Sequence, residues 1–549
     1  MRGLFPRRGL GLALAAGLML GAGTPAFAQG LTGQIGGTIL DAQKGALPGA
    51  SVTVQNVGTR VSRDTVTDPQ GAFVVTNLLA GTYDLKVTLT GFKTYEQKGI
   101  ALSATERVAL PPITLDVGGV SESVSVQAEA ARVQTQSGER SATITADQIA
   151  DTGLRGRDFM GTLKVLPGVI DTSNRDAPGW GSVGGMTING QSSFNFSYDG
   201  IVSKDTGSNS GNFAAPALDS IAEVKVQASN FQAEYGRSSG ASITVVTKSG
   251  SANFHGSAAF YKRDEHFNAN SWERKNDCEA GQTSSCSTPP YRYNNTAWTV
   301  GGPVLVPGTS FNHNRDKLFF FFSQDLLPRT DPGNLEQSTM PTAAERMGDF
   351  SQTFDTNGRL IHIADPNLRA AGLSCNVISG GPGCFAGNVI PADRLNSIGA
   401  SILNLFPLPN TTDPGGGRRY NYTYQNVKEK PKNDQVVRID WNVHPNTTFY
   451  SRLQFGKEVN DRSYAGFLGA GTGNGGNQGF PQFYTEYAIK TLSSVSTLLH
   501  TFNPTTVLEV TGGVNWSQQL TSWVNQATLD ANDRTKVLPG LTQFFPSAN

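Results

Sequence analysis

The side chains with the sharpest chemistry in this sequence are four cysteines, Cys278, Cys286, Cys375 and Cys384. They form two local pairs with short Gly/Ser-rich spacers. Zinc needs close-set ligands such as C-x2-C, and neither spacing supplies them, so no metal centre is expected. In an exported chain they would meet an oxidising compartment, and the expected products are Cys278–Cys286 and Cys375–Cys384 disulfides. Free thiols in a surface loop are the alternative. His255, His266, His313, His362, His444 and His500 are scattered. There is no H-E-x-x-H, P-loop, G-x-S-x-G or C-x-x-C. The glycine-rich run from Gly469 to Gly479 lacks the strand–helix context of a phosphate cradle. Neither an enzyme nor a cofactor is expected.

The remaining chemistry belongs to the backbone. Glu122-Ser123-Val124-Ser125-Val126 alternates polar and apolar residues, contains no proline, and follows Gly118 and Gly119. Such a stretch can add as a strand to a partner's sheet, or serve as an ordinary strand between domains. Asn189 and Asp199 could face a ligand or close turns. Lys plus Arg and Asp plus Glu number 44 each, so no net field draws the chain toward nucleic acid, and no nucleic-acid partner is expected.

The elements that must position these residues begin with a secretory signal over residues 1–28. Arg2, Arg7 and Arg8 precede an apolar run from Gly9 to Gly23, and Ala26-Phe27-Ala28 is a small-x-small cleavage site. A retained anchor is the alternative, but the apolar run is short for a membrane span. In residues 29–117, Tyr83, Leu85, Val87 and Leu89 alternate with polar neighbours, as do Val52 and Val54, and Asp68-Pro69-Gln70-Gly71 reads as a turn. This pattern predicts a small β-sandwich. Residues 118–130 read as a linker. Residues 131–250 mix helix and strand signals. Thr145 or Asp147 can cap a helix, Phe159 to Val165 is helical, and Leu166-Pro167-Gly168 stops it. Glu223 to Val226 reads as a half-buried strand, and Ser242 to Thr247 is β-branched at almost every position.

From residue 251 the strands become long and amphipathic. Val437, Ile439, Trp441 and Val443 oppose Arg438, Asp440 and Asn442; Phe449, Leu453 and Phe455 oppose Tyr450, Arg452 and Gln454; Leu508, Val510, Val514 and Trp516 oppose Glu509, Thr511 and Asn515. This is the signature of a transmembrane antiparallel β-barrel, with roughly seven strands expected before Asn549. Strand parity places Lys262 to Pro290 and Arg329 to Asn433 outside the cell, with Pro307 to Lys317 and His444-Pro445-Asn446 as periplasmic turns. Both cysteine pairs then fall in outer loops.

Several stretches resemble known families. Leu47-Pro48-Gly49-Ala50, Thr67-Asp68, Gly71-x-Phe73, Gly81-x-Tyr83 and Gly91-Phe92 resemble the carboxypeptidase regulatory-like domain. That resemblance implies a transthyretin-like sandwich of the carbohydrate-binding-like group, acting in sugar binding or as a spacer. Leu166-Pro167-Gly168, Ile188-Asn189-Gly190, Tyr198-Asp199-Gly200 and Glu234-Tyr235-Gly236-Arg237 resemble the plug of TonB-dependent outer-membrane receptors. Gly301-Gly302-Pro303, Met340 to Phe350, Asn388 to Arg394 and Leu405 to Asn410 resemble the Oar-like branch of that family. The implied molecule is dominated by β-structure: a periplasmic sandwich, an α+β plug and a partial barrel in a Gram-negative outer membrane. It would take up an extracellular ligand such as a siderophore, oligosaccharide or peptide. A TonB-type inner-membrane energy complex would pull on Glu122 to Val126. An adhesion or binding protein on the same scaffold is the alternative. Barrels of this family have about twenty-two strands, so this chain is expected to be incomplete.

Overall fold

A computed structural model describes residues 30–119, 123–127, 138–173, 175, 184–204, 216–231, 235, 238–270, 272–279, 286–404, 406–413, 416–465, 483–503 and 506–523. The expected signal segment, residues 1–28, lies outside them.

Period-two alternation builds the N-terminal sandwich. One sheet contains β1 (Gly33–Asp41), β4 (Ala72–Leu78), β7 (Arg107–Ala109) and β8 (Ile113–Leu115). The other contains β2 (Ser51–Asn56), β3 (Ser62–Val66), β5 (Gly81–Thr88), β6 (Thr94–Leu102) and β9 (Ser123–Gln127), in the order β3-β2-β5-β6-β9. Val52, Val54, Leu85 and Val87 meet Ile35, Ile39 and Phe73 between the sheets. Tyr83 is buried with them, and its hydroxyl donates to Leu79 O at 2.6 Å, so its polar end is satisfied. At the Asp68–Gly71 turn the Asp68 carboxylate accepts from Gln70 N and Ala72 N. Gly71 stands at φ 71°, where a side chain would be strained.

The middle part is a mixed five-stranded sheet beside a small hairpin. Its strands are β10 (Arg140–Thr145), β13 (Phe194–Tyr198), β14 (Ile201–Val202), β15 (Ile221–Ser229) and β16 (Ala241–Thr247), ordered β10-β15-β16-β13-β14. The hairpin pairs β11 (Val169–Asp171) with β12 (Met186–Ile188). Helix α1 (Ala146–Asp151) starts at Thr145 in a capping box with Gln148. A 3-10 helix over Phe159–Val165, capped by Asp158, packs Phe159, Met160 and Leu163 onto Phe196, Ile243 and Val245. One expectation needs correction. Strand β15 is covered on both faces, not half-buried: Glu223, Lys225 and Gln227 are each less than a tenth exposed. One face lies on the core, and the polar face is enclosed by the sandwich and Glu139.

The C-terminal part is one large antiparallel sheet. Seven strands run its height in the order β17 (His255–Asp264), β18 (Arg292–Pro303), β19 (Leu318–Leu327), β22 (Lys432–His444), β23 (Thr447–Ala465), β24 (Phe483–Asn503) and β25 (Thr506–Trp523). Two more, β20 (Arg329–Ser338) and β21 (Tyr422–Glu429), pair as a hairpin within the stretch read from sequence as loop. They extend the sheet through Thr330 opposite Arg292 and Glu429 opposite Arg462. Among the described residues β17 and β25 do not pair with each other. The wall is inverted relative to a water-soluble core. Trp298, Trp441, Leu453, Phe455, Val514 and Trp516 are exposed on its outer side, while Asn295, Asp325, Asp434, Arg438, Arg452 and Gln454 are buried on its inner side. Apolar outside and polar inside suits a wall facing lipid, with the backbone of the inner strands paired on both sides. The connections 304–317 and 445–446 lie at one end; the longer 265–291 and 328–431 lie at the other.

Candidate functional site: the contact of the middle sheet with the wall and the strand beneath it

The buried polar side chains of the wall are explained by what they touch. Asp199 sits in the left-handed turn between β13 and β14, at φ 47°, and is fully buried. Its carboxylate accepts from Thr247 N at 2.9 Å and from Thr247 Oγ1 at 2.8 Å. Across the interface it accepts from Arg452 Nε at 3.0 Å, with Arg438 Nη1 at 3.7 Å. Arg452 also donates to Ser493 Oγ and Tyr198 O, and Arg438 is held by Asp440 and Thr247 O. One carboxylate thus meets two guanidinium groups away from water, a geometry that resists separation because each lost partner leaves a buried charge. Nearby, Asn515 Nδ2 donates to Val202 O at 2.6 Å, and a Cβ at Gly513 would collide with Ile201. Glycine is therefore required where the wall and this turn meet.

A second contact lies toward the long-loop end. Arg157 pairs with Asp219 at 2.5 Å and stacks over Tyr261, while the Tyr293 hydroxyl donates to Gly156 O at 3.1 Å. Asp158, beside it, caps the 3-10 helix through Met160 N at 3.0 Å. Burial pushes its carboxyl up to about 6, against the pull of Arg175, whose Nη1 is 3.7 Å away. Arg175 is itself clamped by Asp171 through two bonds at 2.9 and 3.0 Å.

The sandwich meets the short-turn end. Arg63 donates to Pro445 O and, at 3.1 Å, to Thr448 Oγ1. Thr32 Oγ1 donates to Glu509 Oε2 at 2.9 Å. A cavity of about 780 Å³ opens where sandwich, middle sheet and wall converge, lined by Asn56, Asn77, Glu223, Arg438 and Asp440 among others.

The remaining residues singled out from sequence are distributed as follows. Ser123 to Val126 lie on β9, which pairs in parallel with β6, Tyr95 opposite Val124 and Gln97 opposite Val126. Val124 and Val126 are each 40 % exposed, and the other edge of β9 has no strand on it among the described residues. Glu122 lies outside those residues. Leu166, Pro167 and Gly168 end the 3-10 helix, with Gly168 at φ 82°. Ile188 is buried; Asn189 and Gly190 form an exposed left-handed turn, and Asn189 Nδ2 donates to Ala228 O at 3.2 Å. Tyr198, Asp199 and Gly200 form the turn at the wall. Tyr235 is buried against Phe231, while Glu234, Gly236 and Arg237 lie outside the described residues. The cysteines pair as expected, Cys278 with Cys286 and Cys375 with Cys384. Asp264, Glu265 and His266 bring metal-type ligand atoms together, but Asp264 Oδ1 is already engaged by His266 Nδ1 at 2.5 Å, and the group caps a turn.

Sequence reasoning placed Arg438, Asp440 and Arg452 on the polar face but assigned them no partner, and it passed over Asp158, Arg175 and Lys225. A charge on the inner face of a lipid-facing strand demands a counter-charge in the lumen, and that signal was available for Arg438 and Arg452.

Comparison with known proteins agrees with this architecture. Residues 246–549 match the outer membrane beta barrel domain, and residues 34–116 match the carboxypeptidase regulatory-like domain. The chain is 29 % identical over 342 residues to the TonB-dependent transporter Oar of Myxococcus xanthus, covering 57 % of this chain and 28 % of that protein. Among solved structures it is similar to a ferric enterobactin receptor from Pseudomonas aeruginosa, with 12 % identity, TM-score 0.34, and 70 % and 41 % of the two chains covered. It is also similar to the outer membrane transporter YddB from Escherichia coli, with 11 % identity, TM-score 0.38, and 69 % and 39 % covered. The chain thus spans less than half the length of each of these relatives. With a lipid-facing wall over the matched residues, more than half of its length, this chain belongs to the outer-membrane β-barrel family, and its place is the outer membrane of a Gram-negative cell.

Proposed function

We propose that this chain acts in energised uptake across the outer membrane, with residues 131–250 as the plug of the barrel and β9 as the strand gripped by a TonB-type inner-membrane complex. The observation that carries this reading is the placement of β9. It lies in the domain seated at the short-turn end, the periplasmic end of such barrels, and one of its edges carries no strand among the described residues. An open edge offers backbone donors and acceptors to an incoming strand, and alternate valines give that strand side-chain pockets. The ligand binds from the long-loop side, where the folded outer segments stand, and its class is left to experiment among siderophore, oligosaccharide and peptide.

The test compares Val124→Pro with Val124→Ala in the full-length protein. Proline removes a backbone donor and disfavours strand pairing, whereas alanine keeps both. Val124→Pro is expected to abolish ligand-dependent growth while leaving surface binding and membrane assembly intact; Val124→Ala should retain most uptake. Normal growth with Val124→Pro sinks the assignment of β9. Unchanged function in a strain lacking the energy complex favours a binding or adhesion protein instead.

A further inference from the structure

Strand β9 is part of the sandwich sheet, and the sandwich is fastened to the plug. β9 pairs with β6 from Thr94 opposite Ser123 to Lys98 opposite Gln127. β6 continues to Leu102, and the chain then turns onto plug strand β15. There Ala104 N donates to Glu223 Oε1 at 2.6 Å. Lys225 Nζ donates to Thr105 Oγ1 at 2.7 Å and to Ala104 O at 3.2 Å, and lies 3.1 Å from Glu139 Oε1. Both ionisable side chains are buried, and Leu31, Ala104 and Val246 form a small apolar cluster beside them. β15 lies between β10 and β16, so the joint reaches the centre of the plug sheet.

We infer that the sandwich mechanically couples β9 to the plug: a pull on β9 passes through β6 and the Ser103–Thr105 turn into β15 at Glu223 and Lys225. This rests on β9 being the strand that the energy partner grips. The covalent route from β9 to β10 runs instead through residues 128–139, a tether that reaches at most about 40 Å before it is taut. The joint transmits displacement at once. Parting it strands two buried ionisable groups, so it resists separation strongly. The sandwich's bonds to the barrel lie at its rim, through Arg63, Thr32 and Gly58 O. Once the rim bonds yield, sandwich and plug take the load together, and it falls on the Asp199 contact with the wall.

The test uses the full-length protein in cells. A cysteine at buried Ser197 on β13 reports plug movement by maleimide labelling, and a cysteine at Ser125 on β9 reports capture by the energy partner through cross-linking. In the parent, labelling at Ser197→Cys is expected to be several-fold faster in energised cells than in cells treated with a protonophore. Glu223→Leu with Lys225→Met should abolish that difference while the Ser125→Cys cross-link persists. Ala104→Pro, which removes the amide donor without touching the buried charges, should act the same way and covers the case in which the double variant fails to assemble. Arg63→Ala should keep the difference or increase it. A full energy-dependent difference in both joint variants overturns the coupler and returns the load to residues 128–139. If Ser125→Cys never cross-links in the parent, the assignment of β9 falls and the coupler falls with it.

Discussion

At the scale of single residues, the middle sheet is held to the wall by few groups in costly places. Asp199 joins the D-G turn to Arg452 and Arg438 with no solvent at either end. Asp199→Ala leaves both guanidinium groups short of a buried partner, and the loss in stability of the contact between middle sheet and wall is expected to be about 3–5 kcal/mol. Faster hydrogen exchange across β13 and β14, with unchanged exchange in the sandwich, is the measurement; protection equal to the parent contradicts it. Asp158 makes a pH-dependent contribution of the opposite kind. Burial raises its carboxyl to about 6, while Arg175 and the barrel's Lys432 pull it down and Asp171 pushes it up. The folded state therefore holds this proton more tightly than the unfolded chain, whose carboxyl titrates near 4. Stability from this group grows as pH falls from 7 through 6, levels off near 4, and is lost as pH rises. Asp158→Asn keeps a cap for Met160 N and removes the titration. Protection of the Phe159–Val165 helix at pH 7.5 should rise by roughly 2 kcal/mol, and its increase between pH 7 and 5 should vanish. Neither residue's partner was legible from sequence, because the partners lie on a distant strand or beyond a long connection.

At the scale of elements, legibility followed periodicity. The sandwich and most of the long strands show in the sequence because one face is apolar and the other polar, whichever face meets solvent or lipid; β19, which opens on a run of phenylalanines, shows by its apolar length instead. The hairpin β20–β21 does not show: Pro332-Gly333 breaks its alternation, and the register of the pair shifts after Pro332. Strand β15 misled for another reason. Its Glu223 and Lys225 look solvent-facing, yet they are enclosed by a second domain, and pattern within a strand cannot report what covers it. The outer segment between β20 and β21 is built from local devices. Thr342 and Glu345 form a capping box, Arg394 grips Asp365 at 2.5 and 2.7 Å, and Asn388 bonds to Phe350 O, Ile361 O and Ile363 N. The Cys375–Cys384 disulfide closes a short loop on this framework. Closing a loop of about ten residues is worth roughly 2–3 kcal/mol, all of it local. Cys375→Ser with Cys384→Ser is therefore expected to speed proteolysis between Leu373 and Phe385 at least tenfold while leaving the heat-modifiable migration of the barrel unchanged. Loss of the folded barrel in that variant would falsify the local assignment.

At the scale of the whole molecule, one polarity must satisfy three independent features. Short connections occupy one end of the wall and long ones the other. Among the described residues, the sandwich is hydrogen-bonded to the wall at the short end, through Pro445, Thr448 and Glu509. Both disulfides lie in the long connections. A barrel inserted from the periplasm leaves tight turns behind and carries long loops outward, so the sandwich and β9 must lie on the periplasmic side. Had the sandwich bonded to the long loops, β9 would face the medium, out of reach of any inner-membrane partner. The arrangement is tested by single cysteines at two exposed positions, Asn357 in the segment between β20 and β21 and Asn314 in the turn between β18 and β19. A membrane-impermeant maleimide is expected to label Asn357→Cys in intact cells and to reach Asn314→Cys only after the outer membrane is permeabilised. Labelling of Asn314→Cys in intact cells at the rate of Asn357→Cys would reverse the polarity. It would also remove the physical basis for assigning β9 to the periplasm, since strand, sandwich and short turns stand or fall on the same side of the membrane.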